Sequence, residues 1–154
     1  MQGRMEDWDS LRLRLSRLSS KSESKIMQSS KRSTVKLLDE LCSIIVRLRD
    51  RECKTCAYQD PPKIPSRTDL TNGHYFHRGI EATRWNIINC HCQCEECNNL
   101  HEQDTGAYTR FIIDQYGESI LEDLNALRVE HSRYSRADLY IVYRFLVVYG
   151  ERLL

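Results

Sequence analysis

The sequence predicts an α+β chain, mostly helical, built on a zinc-stapled core flanked by helices and preceded by a basic arm. Three observations carry this expectation. Cys53-x-x-Cys56 and Cys94-x-x-Cys97 form two knuckles, a spacing that lets four thiolates close on one tetrahedral Zn²⁺. The stretches outside the knuckles repeat their apolar residues with the period of amphipathic helices. The stretch between them has too few apolar residues to fold unaided, so a bound metal would supply the missing stability.

At 154 residues the chain can hold one main domain with a moderate core. A net charge of +1 excludes a general polycation, but the charge is segregated. Residues 10–36 carry eight Lys/Arg against the single acid Glu23, whereas residues 94–130 carry nine acids against Arg110 and Arg128. Residues 1–32, basic and Ser-rich, are therefore expected to be a flexible, disordered arm. Arg12, Arg14, Arg17, Lys21, Lys31 and Arg32 are its candidate contacts to a polyanion. Within it, Leu11 to Leu15 alternate like a strand, yet Leu11, Leu15 and Leu18 also share a helical face, and both readings stand.

Seven cysteines is an odd number, and no apolar run resembles a signal peptide. Paired knuckles without such a signal favour zinc over disulfides and a reducing, cytoplasmic setting. No stretch approaches the ~18 apolar residues of a membrane span, so no membrane partner is expected. Cys42 falls on an apolar helical face; Cys90 and Cys92 flank the second knuckle and are either packing residues or extra ligands.

Residues 33–130 are expected to form the core. Val35, Leu38, Leu41, Cys42, Ile45 and Leu48 mark a helix over 34–51, capped by Ser33 or Thr34, with Arg47, Arg49 and Arg51 at its negative end. Pro61, Pro62 and Pro65 place 57–70 in a loop, and Asn72-Gly73 signals a tight turn. A hairpin or irregular finger then leads to Asn89. Cys94 should open a helix that Gly106 breaks. Two further helices follow, over 107–116 (Tyr108, Phe111, Ile112 and Tyr116 inward) and over 118–128. Residues 131–154 form a last helix, with Ser135 and Asp138 as a capping box. It is apolar nearly all round, as expected for an element in a core or against a second copy, and a dimer seam is the favoured reading.

The motifs Arg47-x-Arg49-Asp50, Cys53-x-x-Cys56, Gly73-His74-Tyr75-x-x-Arg78, Thr83-Arg84-Trp85-x-x-x-Asn89, Gln93-Cys94-x-x-Cys97-Asn98 and Tyr108 occur in this order. From about Val35 to Gly117 the chain resembles the NinG (Rap) recombination endonucleases of lambdoid phages. The knuckle-finger-knuckle region is also similar to the HNH, or His-Me finger, nucleases, including the zinc-stapled junction resolvase endonuclease VII. The resemblance implies a treble-clef ββα core.

It also implies roles. His74 matches the histidine that activates water, with a neutral imidazole able to take a proton near pH 7. Asn89 matches the asparagine that ties down the finger and orients the histidine. Asn98 matches a ligand for Mg²⁺ or Mn²⁺. Arg78 and Arg84 are candidate phosphate clamps, because a guanidinium fork matches phosphate oxygens. His77 and His91 are weaker candidates for a direct role.

One departure stands out. Many His-Me nucleases place a metal-binding aspartate just before the histidine, and here that residue is Gly73. The missing oxygens would come from phosphate, water, or Asp104, Glu102 or Asp69, with Asp104 the first choice. The resemblance thus implies a metal-dependent endonuclease for branched recombination intermediates such as Holliday junctions, working in a phage-infected bacterial cytoplasm. Paired cuts suit a homodimer. The alternatives are a non-catalytic zinc module that binds DNA and an HNH nicking enzyme without junction preference.

Overall fold

The computed structural model describes residues 7–130 and 133–154; residues 1–6 of the expected arm and 131–132 of the expected C-terminal segment lie outside them. The element order is α1 (Trp8–Ser19), α2 (Glu23–Gln28), α3 (Lys31–Asp50), β1 (Leu70–His74), α4 (Glu81–Arg84), β2 (Cys90–Cys94), α5 (Glu95–His101), α6 (Gly106–Tyr116), α7 (Ser119–Val129) and α8 (Arg136–Glu151). A short 3-10 turn occupies Cys56–Tyr58. The described residues are mostly helical with one two-stranded sheet.

Residues 8–28 correct the expectation of a disordered arm. They form two helices that pack on the rest of the chain, α1 on α3 and α2 on α8. Leu11 and Leu15 enter the core, Leu15 with no exposed surface, and Ile26 is 4% exposed. This settles the open reading of Leu11–Leu15 in favour of the helical face. The serines read as linker chemistry act as caps, because a short hydroxyl can accept from an orphan N–H of the first turn. Ser22 accepts from Lys25 N–H, and Ser30 from Ser33 N–H at the start of α3. Three of the six candidate DNA contacts already have anionic partners: Arg12 pairs with Asp9, Arg14 with Glu40 and Lys31 with Glu81. Arg17 and Arg32 are exposed and Lys21 is half-buried. Truncating Leu15 to alanine should cost about 3 kcal/mol, the scale of a buried leucine that leaves a cavity. A urea midpoint unchanged from the parent would show that α1 is not part of the cooperative fold.

The expected helix over 34–51 is α3, with Leu38, Leu41, Cys42, Ile45 and Leu48 buried. It stops where Arg51 takes a left-handed φ of 60°. Its last residues are anchored as well as terminal. Arg49 pairs with Asp50, donates to the carbonyls of Ile87 (2.8 Å) and Cys90 (2.8 Å), and Asp50 accepts from Cys92 N–H (2.8 Å). Burial opposes the charge on Arg49, but Asp50 more than compensates and holds its pKa above the usual value. The Arg49-Asp50 pair thereby fixes α3 to β2.

The two strands run antiparallel, with Leu70 opposite Cys94, Asn72 opposite Cys92 and His74 opposite Cys90. Asn72-Gly73 therefore lies inside β1 rather than at a turn. The chain reverses over residues 75–89 instead. Alternate strand residues face opposite sides. The Asn72, Cys90 and Cys92 side looks onto α3, where Asn72 donates to Cys42 Sγ and Cys92 Sγ–H to Val46 O. The His91 side looks onto α6. Cys90 and Cys92 are packing residues of this buried strand.

α6 buries Tyr108, Phe111 and Ile112, joined by Leu124 of α7 in a second apolar cluster; Tyr116 stays 37% exposed. Gly106 begins α6 rather than breaking a longer helix. α8 starts with the expected capping box, Ser135 and Asp138 each bonding the other's backbone. It is not a separate unit: Leu139, Tyr143, Leu146 and Val147 complete the main core against α3, α1 and α2. A stripe of Ile141, Phe145 and Val148 remains exposed.

Candidate functional site

The four knuckle cysteines converge. Cys53 and Cys56 come from the turn after α3, Cys94 ends β2 and Cys97 lies in α5, and their sulfurs all lie within 4.8 Å of one another in a buried cluster. Cys56 Sγ is 3.8 Å from Cys94 Sγ and 3.6 Å from Cys97 Sγ. A tetrahedron with Zn–S bonds of about 2.3 Å has sulfur-to-sulfur edges of about 3.8 Å, so the set fits. A hydrogen bond from Cys94 lowers the Cys53 pKa, whereas burial raises that of Cys56. These four buried cysteines can hold a metal such as zinc.

Beside the cluster, β1, α3, α5 and the 75–89 loop enclose a groove of about 1030 Å³. His74, the last residue of β1, lies on its wall. His74 Nε2 is 3.0 Å from the backbone oxygen of Arg84, the last residue of α4. Carbonyls in a final helical turn have no partner in their own helix, so this one is free to accept. The proton therefore sits on Nε2, and Nδ1 keeps the basic lone pair. Burial lowers the His74 pKa below the ordinary imidazole value, so the ring is neutral at pH 7.

Asn89, fully buried, ties the loop together. Its Oδ1 accepts from Phe76 N–H (2.8 Å), and its Nδ2 donates to Phe76 O and Thr83 O (3.1 Å each). Tyr75 N–H also donates to Asn89 O (2.8 Å), extending the strand pairing. The loop is thus held at both ends of the turn that carries His77 and Arg78. Both line the groove, and the Arg78 side chain is 63% exposed, with one loose contact to Asp39 at 3.7 Å.

Asn98, His101 and Glu102 line the facing wall at helical spacing i, i+3, i+4 on and just beyond α5. Their helix is opened by Cys94 and holds Cys97, so the cysteine cluster and this wall share one rigid element. Asp104, the first choice for an extra cation ligand, is not on the wall; its Oδ1 accepts from Gly106 N–H at 2.8 Å. Glu102 is the carboxylate that α5 delivers.

Arg84 also departs from expectation. Its guanidinium is not presented to an incoming phosphate. It is locked bidentately on Asp39, with Nε to Oδ1 at 2.8 Å and Nη2 to Oδ2 at 2.7 Å. Sequence reasoning missed Asp39 and His101. Asp39 looked like one polar residue on an amphipathic helix, and His101 carried no motif, although its position three residues after Asn98 puts both on one face.

His91 has no place in the groove. It is 1% exposed and sits between two phenols, with Nδ1 3.2 Å from Tyr108 Oη and Nε2 2.8 Å from Tyr116 Oη. Tyr108 Oη–H donates to Gly73 O (3.1 Å), so it accepts from Nδ1–H, and Nε2 accepts from Tyr116. Burial pushes the His91 pKa down to about 2. The unfolded imidazole binds a proton near 6.5, so between about 6.5 and 2 the unfolded state holds more protons. Stability is therefore full above that window and falls as pH drops through it. From pH 7 to pH 5 this group alone should remove about 2 kcal/mol. A His91→Gln variant should show a shallower loss between these pH values in urea titrations; an identical loss would remove His91 as the cause.

Gly73 is compelled by packing. A Cβ there would lie 2.1 Å from Gln93 Oε1 and 2.8 Å from Gln93 Cγ. Gln93 is 1% exposed and donates to Thr55 Oγ1 at 3.1 Å, so it has nowhere to retreat.

A family model described as bacteriophage lambda NinG protein matches residues 6–144. The chain belongs to the NinG family. No curated protein and no solved structure gives a significant match to it. The NinG match spans α1 through most of α8, so the N-terminal helices and the cysteine cluster belong to one family unit. Among the described residues of this NinG chain, no helix is long and apolar enough to cross a membrane.

Proposed function

We propose that this NinG chain is a metal-dependent, structure-selective DNA endonuclease that hydrolyses phosphodiesters in branched recombination intermediates, with His74 as general base. The observation that carries the reading is the His74 ring: neutral, proton fixed on Nε2 by Arg84 O, and set on the wall of a groove large enough for a nucleic-acid strand. In this reading β1, β2 and α5 form the treble-clef ββα unit of a His-Me finger, with zinc as its staple.

The chemistry divides among the chain's own groups. Nδ1 of His74 takes the proton of a water as its oxygen bonds to phosphorus, and the ester oxygen leaves with the bonding electron pair. Asn89 holds the loop so that His74 faces the scissile group. Arg78, exposed at the rim, receives a phosphate oxygen. Asn98 and Glu102, oxygen donors one helical turn apart, would hold Mg²⁺ or Mn²⁺, which supplies positive charge to the leaving and non-bridging oxygens. Among the described residues the four cysteines are the only His, Cys, Asp or Glu cluster close enough to share one ion, so such a cation would draw further oxygens from substrate and water. Arg17 and Arg32 remain candidates for backbone contacts that weaken steeply with salt. The exposed Ile141, Phe145 and Val148 stripe is the proposed seam of a homodimer able to make paired cuts.

The test is cleavage of a labelled four-way junction and of a linear duplex of matched sequence, each with added Mg²⁺ or Mn²⁺. Cuts on the junction alone support the reading. Equal cutting of both would reduce it to an HNH nicking enzyme, and binding without cutting would leave a zinc-dependent DNA-binding module.

A further inference from the structure

The groove holds one carboxylate whose contacts run toward the histidine rather than toward solvent. Asp39, on the third turn of α3, accepts Arg84 Nε (2.8 Å) and Trp85 Nε1 (2.9 Å) on Oδ1, and Arg84 Nη2 (2.7 Å) on Oδ2. All three donors belong to the end of α4 and the residue after it. The side chains of Asp39 and Arg84 are only 31% and 17% exposed. The backbone oxygen of this same Arg84 accepts from His74 Nε2 (3.0 Å) and from Cys90 Sγ (3.3 Å).

α4 is a single turn of four residues, with no side-chain cap at its start, and is too short to hold its own geometry. Its carbonyl can orient an imidazole only if something outside the helix holds it still. Trp85 contributes by burying its ring, at 4% exposed, against the main core, while Arg84 lies over it at 5.4 Å. Asp39 is the group that joins both side chains to a long, rigid helix. Burial alone would raise its pKa, but the Arg84 and Trp85 hydrogen bonds outweigh that and keep the carboxylate ionised.

We infer that Asp39 is a positioning residue for His74: by clamping Arg84 and Trp85 onto α3, it fixes the Arg84 carbonyl that sets the tautomer and rotation of the imidazole. The bidentate fork matters because it fixes direction as well as distance. A lysine at position 84 would keep the charge and the backbone carbonyl but lose the fork. The assignment rests on the reading of His74 as base for its catalytic meaning, but its structural content is independent of activity.

The experiment uses the full zinc-loaded chain and reads the His74 ring directly by long-range ¹H–¹⁵N spectra at neutral pH, together with junction cleavage. In the parent, His74 should give the pattern of an Nε2–H imidazole. Asp39→Asn and Arg84→Lys should each mix in the Nδ1–H tautomer and lower kcat by tenfold or more, with KM within twofold of the parent. The double variant should fall no further than the worse single one, because both break one clamp. Circular dichroism and zinc content at parental values exclude simple unfolding, and Asp39→Glu should recover part of kcat. A His74 spectrum unchanged in both single variants overturns the assignment, whatever happens to activity. A perturbed spectrum in a protein whose His74→Ala form cleaves normally would uphold the clamp and overturn the base.

Discussion

Replacing His74 with alanine is expected to lower junction cleavage by roughly 10²–10⁴-fold, the usual contribution of a positioned general base. The fold should survive it. His74 is half-buried at the end of β1, and its ring bonds only backbone groups, among them the Arg84 carbonyl that Cys90 Sγ also contacts. Zinc content, far-ultraviolet dichroism and junction affinity should remain close to those of the parent. The loss should also be unequal across pH. The parent needs a neutral imidazole, and burial has lowered its pKa, so parental activity should hold at pH 7 and decline only below the ordinary histidine range. Alanine has nothing to titrate, so the residual rate should lack that decline. Parental rates from the alanine form would remove the base assignment outright.

With zinc as the proposed ligand of the cysteine cluster, chelation should have the largest effect on stability. Thiolate ligation contributes on the order of 10 kcal/mol in small zinc modules, comparable to the whole stability of a domain. The loss should be regional. The cluster ties the turn at 53–58 to β2 and α5, whereas α1, α3 and α8 share their own apolar contacts through Leu15, Leu38, Leu41, Ile45 and Leu146. After chelation, amide protection should vanish across 53–101 and persist, weakened, in α3 and α8. Retained protection in both regions would mean that four thiols pack without a cation, and the zinc assignment would fail. Cys97→Ser should reproduce the regional loss without a chelator.

Some of this was legible in the residues themselves. The knuckles announced the cluster because ligand spacing is a local property of the chain, and the period of Leu38, Leu41, Ile45 and Leu48 announced α3. The Ser135–Asp138 box gave the start of α8. What the sequence obscured lay in partners distant along the chain. Basic residues interleaved with serine looked like a solvated arm, since nothing local reveals that Leu11 and Leu15 meet α3. Arg84 looked free for phosphate because Asp39 is 45 residues away. Asn72-Gly73 has the composition of a turn, but pairing with Cys92 and His91 overrode that preference. Asp104 lay one or two turns past Asn98 by counting, yet α5 ends at His101 and the chain turns away before reaching it.

The contact between Gly73 and Gln93 limits how this site can vary over evolutionary time. Gly73 stands opposite His91 with Gln93 two residues further along the neighbouring strand, and the space over Gly73 is filled by the Gln93 side chain. An aspartate before the histidine and a glutamine before Cys94 are therefore mutually exclusive states of the same small volume. A lineage could cross from one to the other only by shrinking residue 93 first, passing through a form that has surrendered the Thr55 contact beside the cysteine cluster before it has acquired a new carboxylate. Covariation between the two columns, rather than either column alone, is the historical record such a constraint would leave.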